Sequence, residues 1–476
     1  MDLDMHASPA IGRREFLRML GLGAASLAVR SVPVRASKET PHGVTTNRPN
    51  IVFILADDLG YGDLGCYGRQ DIKTPVIDGI AAEGVRFTQY YSNGPECSPT
   101  RTAFMTGRYQ QRVGGLECAI GTGNVGRYDD AIRLAHANDL GLPVEQTSIA
   151  RMLKDAGYAT GITGKWHLGY EPKFAPHLHG FDYAFYCIGG GMDYFHYLDT
   201  SAGYNLFLNG NPIRREGYFT DLVTEEAIKF IDKHADESFF LYVPYTAPHS
   251  PFQGPGDFRL DPLPLDSPLW DQGKAPPGVY TAMIEHMDKC IGRILKTLDE
   301  KGLAKNTVVF FSSDNGGTAS GRNTPLSRNK GSTFEGGIRV PAMARWPGVI
   351  RKGLVSDQVC ITMDFSASIV RIAGAKVPSG REFDGVDILK LVETGQAPQK
   401  RTLFWRQRRG EQTWRAVRDG DIKLIRQTNK GQTQEFLFDL KNDVSEKNNL
   451  LNDRPNEAGR LRALLADWEK KVQHSR

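Results

Sequence analysis

Three short apolar runs, far apart in the chain and each followed by residues able to do chemistry, constrain the fold of this sequence more than any other feature. They read IVFILA at Ile51–Ala56, FFLYV at Phe239–Val243 and VVFF at Val308–Phe311. Runs this short, without the alternation of a half-solvated strand, predict strands buried on both faces, as in a parallel sheet covered by helices. Between and around them, residues 74–82, 144–156, 223–234 and 280–298 carry apolar residues at helical spacing. Thr74 and Pro75 supply a cap and first-turn pair for the first of these helices. The alternation predicts an α/β fold with one large, mostly parallel sheet sandwiched by helices.

From about Lys400 the texture changes. Short alternating segments at Thr402–Trp405, Thr413–Val417, Ile422–Ile425 and Glu435–Phe438, broken by Asp419–Gly420 and Lys430–Gly431, predict a small antiparallel sheet with hairpin turns. A last amphipathic helix over 455–472 is expected to pack on it through Leu461, Leu464, Leu465 and Trp468. With 476 residues the chain exceeds one ordinary core. It divides as an N-terminal segment 1–36, a polar linker 37–49, a main domain 50–395 and a C-terminal subdomain 396–476.

The N-terminal segment reads as an address rather than as fold. Arg13-Arg14-Glu15-Phe16-Leu17-Arg18 is followed by a Gly/Ala/Leu stretch from Met19 to Val29, and Val34-Arg35-Ala36 has the small-residue form of a cleavage site. The pattern is that of a twin-arginine signal, so the mature protein is expected in the periplasm or secreted, with no stable membrane span. A net charge of +4 without a basic, aromatic-interleaved stripe gives no case for a nucleic-acid partner, and none is expected. Six scattered cysteines lack the spacing of a zinc site or a disulfide framework.

Parallel strands deliver their carboxyl ends to one edge of a sheet, which is where open α/β sheets bind ligands. Asp57–Asp58, Pro248–His249 and Asp314–Asn315 follow the three runs and are therefore expected to converge. Asp57, Asp58, Asp314 and Asn315 are hard oxygen donors suited to Ca²⁺ or Mg²⁺, and the number of carboxylates favours Ca²⁺. Taken alone, Asp57–Asp58 serves equally well to cap a helix or solvate a turn. Gly164-Lys165-Trp166-His167 sets a lysine and a histidine two apart, on one face if the backbone is extended.

Four blocks together resemble the signatures of formylglycine-dependent (type I) sulfatases of the alkaline phosphatase superfamily. They are Cys97-Ser98-Pro99-Thr100-Arg101 with Thr106-Gly107, the run from Gly157 to His167, Ala247-Pro248-His249-Ser250-Pro251, and Asn329 to Pro341 after Asp314-Asn315-Gly316-Gly317. They occur in the family's order, and the style of the chain is similar to the arylsulfatase A and N-acetylgalactosamine-6-sulfatase branch. Glu96 departs from the pattern, standing where the family places an apolar or small residue.

The resemblance implies a sulfuric ester hydrolase acting on a sulfated carbohydrate or aryl sulfate through a covalent sulfo-enzyme intermediate. Cys97, oxidised by a formylglycine-generating maturation enzyme, would be the nucleophile and would share the cation with Asp57, Asp58, Asp314 and Asn315. Arg101 would hold the nucleophile in its reactive form, Lys165 and Lys330 would clamp sulfate, His249 would assist the leaving alcohol, and His167 would remove the proton whose loss expels sulfate. Asp193 and His196, with Tyr194, in the glycine-rich segment after Ile188 are candidates for contacting a sugar, as are Trp405, Arg406 and Arg408. A phosphonate or phosphate monoester hydrolase of the same superfamily, and an inactive exported sulfoglycan-binding protein, are the alternative readings.

Overall fold

The structure, a computed structural model, describes residues 48–121, 128–199, 203–271, 273, 275–393 and 398–474. The export signal read at 1–36 lies outside the described residues, as does most of the linker. Residues 47–476 form one compact unit.

Its centre is a ten-stranded sheet. The five middle strands, in spatial order Thr307–Ser313, Asn50–Ala56, Phe239–Pro244, Ala159–Lys165 and Tyr183–Cys187, are parallel, with Ile51 level with Val308 on one side and Phe240 on the other. Shorter, mostly antiparallel strands finish both edges. The absence of polar residues from the first run follows from its position: Ile51, Phe53 and Leu55 enter one core with the helices Cys97–Thr106, Ile149–Asp155 and Thr362–Ala373. Val52, Ile54 and Ala56 enter a second core on the opposite face, with Pro75–Ala82, Phe219–Lys233 and Val279–Glu300. Each larger side chain so buried is worth about 1.5–3 kcal/mol.

Two local expectations are corrected. Residues 144–156 are not one helix: a 3₁₀ turn at Val144–Gln146 ends where Thr147 takes φ 40°, and Ser148 starts Ile149–Asp155 by accepting the Arg151 N–H at 3.1 Å. Thr74 does not cap the helix that Pro75 begins; its hydroxyl accepts the Gly65 N–H and donates to Asp78.

The C-terminal sheet has four antiparallel strands, Thr402–Arg409, Gln412–Asp419, Ile422–Asn429 and Gln432–Asp439, joined by two-residue turns. At Lys430–Gly431 both turn residues have positive φ, the geometry that matches strand twist. The helix Pro455–Lys471 covers this sheet with Leu461, Leu465 and Trp468 buried and Leu464 at the margin. The same core takes in Tyr91, Phe334 and Ile338 from the main body. Buried charges join the two parts as well: Lys423 Nζ lies 2.7 Å from Glu335 and 3.0 Å from Glu446, all three without solvent exposure.

One surface contact ties two helices of the second core in a pH-dependent way. Asp221 accepts from His286 at 3.0 Å and from Arg293 at 3.1 Å. The hydrogen bond to Asp221, helped by Cys290, pushes the His286 imidazolium up to about 9 from 6.5. Its stabilisation is therefore complete below about pH 6.5 and lost as pH rises through about 9. Replacing the charge by His286→Gln is expected to cost roughly 1 kcal/mol at about pH 6 after allowance for solvent screening. Thermal melts of both proteins should converge by about pH 10; an equal gap at both pH values would refute the ion pair.

Candidate active site

The parallel strands bring their carboxyl ends together as expected. Asp57 and Asp58 follow Asn50–Ala56, Asp314 and Asn315 follow Thr307–Ser313, and Lys165 is the last residue of Ala159–Lys165. Asp57 N–H bonds to Ala247 O and Asp314 N–H to Ala56 O, which joins three of the converging segments by backbone. Cys97 is the first residue of the fully buried helix Cys97–Thr106, whose amino end faces this cluster of acids and bases. Its Sγ lies 3.3 Å from Asp57 Oδ1 and 3.4 Å from Lys165 Nζ.

Around the sulfur, three buried acids meet three buried cations. Arg101 forks onto Asp314 Oδ2 with Nε at 3.0 Å and Nη2 at 2.8 Å, donates to Lys165 O, and stands 3.5 Å from Asp57. Lys165 pairs with Asp57. Lys330 donates to Asp58 at 2.8 Å, and His249 Nε2 stands 3.5 Å from the same oxygen. Burial opposes ionisation of Asp58, but the Lys330 charge prevails and holds it at about 2. Burial and the neighbouring Asp57 push Asp314 up to about 6 against the Arg101 fork. Burial works against charge on Lys165 and Lys330 too, yet the facing carboxylates raise both, so both are ammonium ions.

The Cys97 thiol is pushed well above its ordinary range by burial and by Asp314 and Asp57. It is therefore a thiol and not the thiolate that nucleophilic attack requires.

The two histidines differ in which nitrogen is available. His167 Nε2 meets Ile120 O at 2.6 Å; a carbonyl only accepts, so Nε2 carries the proton and Nδ1, buried without a hydrogen-bond partner among the described residues, bears a lone pair. Burial and Lys165 hold this ring neutral. His249 Nδ1 meets Ser250 O at 2.5 Å and is the protonated nitrogen by the same reasoning, which leaves Nε2 toward Asp58. Burial pushes His249 down to about 3. The extended backbone read through Lys165 and His167 stops short, since His167 has φ 56° and turns out of the strand. Gly190 and Gly191 allow the close approach of the next segment: a Cβ on Gly190 would lie 2.9 Å from His167 and one on Gly191 would lie 2.8 Å from Ser250 O.

Of these groups Cys97, His167, His249 and Lys330 line a cavity of about 650 Å³. Of the residues read as sugar contacts, Asp193, His196 and Arg406 are not among its lining. Asp193 is spent on the backbone N–H groups of Phe195, His196 and Leu263, and His196 bonds Leu260 O. Tyr194 is buried against Tyr218, with its hydroxyl on His249 O. Trp405 is buried and donates to Ser92 O, while Arg406 forks onto Glu117, which Arg408 also meets. The lining instead includes Tyr170, Asp199, Trp270, Gln407, Arg409 and Gln412. Strand pleat explains the near miss: with Arg406 and Arg408 turned to Glu117, the alternate residues Gln407 and Arg409 face the cavity. That parity follows from the pairing of the sheet against the main body, which local sequence does not carry.

The set Asp57, Asp58, Asp314 and Asn315 fits a hard divalent cation. It is all oxygen, and Asn315 Oδ1 is buried without a hydrogen-bond partner among the described residues while its Nδ2 donates to Asp58 at 2.7 Å. All six cysteines carry free thiols, and no helix among the described residues is long and apolar enough to cross a membrane.

Comparison with known proteins agrees with this geometry. Residues 49–375 match the sulfatase family, and residues 329–473 match the C-terminal region of N-sulphoglucosamine sulphohydrolase. The chain is 37% identical to N-acetylgalactosamine-6-sulfatase of Mus musculus over 380 residues, 75% of this chain and 69% of that protein. It is 31% identical to human steryl-sulfatase over 430 residues, covering 73% and 70%. The crystal structure of Ps i-CgsB in complex with k-i-k-neocarrahexaose superposes with a TM-score of 0.77 at 30% identity, covering 90% of this chain and 94% of that one.

Proposed function

The chain belongs to the sulfatase family and is a sulfuric ester hydrolase, and from that premise we propose that it removes sulfate from a sulfated carbohydrate using a formylglycine made from Cys97. The observation that carries this reading is the position of Cys97 Sγ, 3.3 Å from Asp57 and 3.4 Å from Lys165, on the floor of a cavity with polar walls. A cysteine kept as a neutral thiol among three acids is poorly placed to attack anything itself. Converted to an aldehyde hydrate, the same position supplies an oxygen nucleophile.

Asp57, Asp58, Asp314 and Asn315 would hold Ca²⁺, or Mg²⁺, which supplies positive charge beside the nucleophile and the sulfate oxygens. Lys165 and Lys330, already ammonium ions and fixed by buried carboxylates, bind sulfate oxygens with little reorganisation. Lys330 stands ready as a proton donor toward the leaving alcohol, and His249 meets the same Asp58 oxygen that holds Lys330. His167 keeps a buried lone pair on Nδ1 and takes up the proton released when sulfate departs. Arg101 holds Asp57 and Asp314 in register with the first turn of the helix that presents Cys97.

A carbohydrate suits the walls better than a flat apolar leaving group, because Asp199, Gln407, Gln412 and Arg409 offer donors and acceptors and Trp270 an aromatic face. The mouse relative, named for N-acetylgalactosamine, and the neighbour bound to k-i-k-neocarrahexaose support the same choice. The reading includes conversion of Cys97 by a formylglycine-generating maturation enzyme and export through the Arg13–Arg14 signal.

The test is a release assay on defined sulfated mono- and oligosaccharides, with phenyl sulfate, phenyl phosphate and phenyl phosphonate in parallel. We expect sulfate release from at least one sugar and conversion of the Cys97 peptide to its aldehyde by mass spectrometry. Chelation should cut turnover at least about tenfold, with recovery on adding Ca²⁺ or Mg²⁺. Turnover confined to aryl sulfate would overturn the carbohydrate assignment.

A further inference from the structure

Glu96 immediately precedes Cys97 and is a carboxylate in a cavity built to receive an anion. Only 4% of it is exposed, yet it lines the same cavity as Cys97 and Lys330. Its Oε2 accepts the Ala119 N–H at 2.6 Å, and its Oε1 pairs with Arg409 Nη2 at 2.7 Å. Each carboxylate oxygen accepts two hydrogen bonds, so each keeps one acceptor position beyond these contacts among the described residues. Arg409 is likewise incompletely used: its Nε is buried without a hydrogen-bond partner among the described residues.

The surroundings reinforce the pair. Arg409 ends a strand of the C-terminal sheet and is directly opposite Gln412 across a two-residue turn, while Gln407 lies two residues earlier on the same face. All three reach the cavity. A neutral array of amides with one carboxylate–guanidinium pair presents acceptors and donors side by side. That is the complement of two neighbouring hydroxyls, one donating to the carboxylate and one accepting from the guanidinium. An additional sulfate or carboxylate at that place would meet the Glu96 charge, and like charges repel.

Building on the carbohydrate reading above, we infer that Glu96 and Arg409, flanked by Gln407 and Gln412, form a subsite that binds an unsulfated vicinal diol of the leaving sugar and rejects a second anionic group beside the scissile sulfate. The C-terminal hairpin is thereby part of substrate selection and not only a cover for the main domain.

The experiment compares matured wild type, Glu96→Gln, Arg409→Ala and Arg409→Lys, each normalised to its formylglycine content by mass spectrometry. Three probes are used: a monosulfated monosaccharide turned over by wild type, the same sugar with a second sulfate on the neighbouring carbon, and 4-nitrophenyl sulfate. For Glu96→Gln and Arg409→Ala the ratio of kcat/KM on the monosulfated sugar to that on 4-nitrophenyl sulfate is expected to fall at least about tenfold, mainly through KM. Arg409→Lys should recover part of it. Glu96→Gln should also narrow the preference for the monosulfated over the disulfated sugar by about tenfold.

Equal loss on sugar and aryl sulfate, or an unchanged mono- to disulfated preference in Glu96→Gln, would overturn the subsite while leaving wild-type sugar turnover intact. A wild type that releases sulfate from 4-nitrophenyl sulfate and from no sugar would instead overturn the carbohydrate reading and the subsite with it.

Discussion

Cys97→Ala, produced alongside the maturation enzyme, is expected to lose at least about 10⁴-fold in kcat while keeping a near-normal melting temperature. The activity loss follows from position: Cys97 is the residue whose side chain meets Asp57 and Lys165, beside the Arg101 and Lys330 charges that would orient and neutralise the sulfate. The small thermal effect follows from chemistry. Cys97 is fully buried but contributes a single sulfur atom, so truncation to alanine removes little packed volume. Cys97→Ser should be almost as inactive, because one hydroxyl bound to a single-oxygen carbon has no second group with which to expel sulfate. Wild-type chain made without a maturation enzyme should resemble these variants. Initial rates of sulfate release with calorimetric melts on the same samples decide the matter, and Cys97→Ala turnover within tenfold of wild type would sink the formylglycine reading.

The elements that place Cys97 were legible because each is set by a local rule. The runs at 51–56, 239–243 and 308–311 announce strands covered on both faces, and parallel strands bring Asp57, Lys165 and Asp314 to one edge whatever the loops between them do. The four hairpin strands were visible from their alternation, although each extends to eight residues, past the segments read from sequence. The missed helix break at Thr147 depends on one residue with positive φ, which no periodicity announces.

The walls of the site were less legible for a different reason. Arg406 and Arg408 look like glycan contacts because they are cationic and adjacent to a tryptophan, but Glu117, distant in sequence, claims both. Once they turn away, pleat alone delivers Gln407 and Arg409 to the cavity. Asp193 looks like a hydroxyl ligand and is instead the keystone of its own turn. A polar side chain's partner is decided by tertiary pairing, so composition identifies a chemically able residue without saying which surface it serves.

The same principle governs the seam between the C-terminal sheet and the main body, where Lys423→Met is expected to destabilise the protein by about 3–5 kcal/mol near neutral pH. Lys423 is a fully buried cation between Glu335 and Glu446, and Glu446 Oε2 also accepts the Glu335 N–H at 2.7 Å. Burial disfavours charge on Glu335, but Lys423 and Arg339 hold it down at about 2, while burial pushes Glu446 up to about 7. Methionine keeps most of the volume and removes the charge, so two acids that face each other must take up a proton or separate. The depressed Glu335 contributes stability in wild type that is present above its ordinary value of 4.5 and lost as pH falls through about 2. In the variant, protonation relieves the repulsion, so the gap between the two proteins should narrow on acidification toward about pH 5. Glu335 begins the short helix Glu335–Ile338, five residues after Lys330, so the variant should also lose kcat as that loop loosens. Calorimetry at two pH values tests the account; a melting temperature unchanged by Lys423→Met would show that water reaches the seam and that the three charges do not depend on one another.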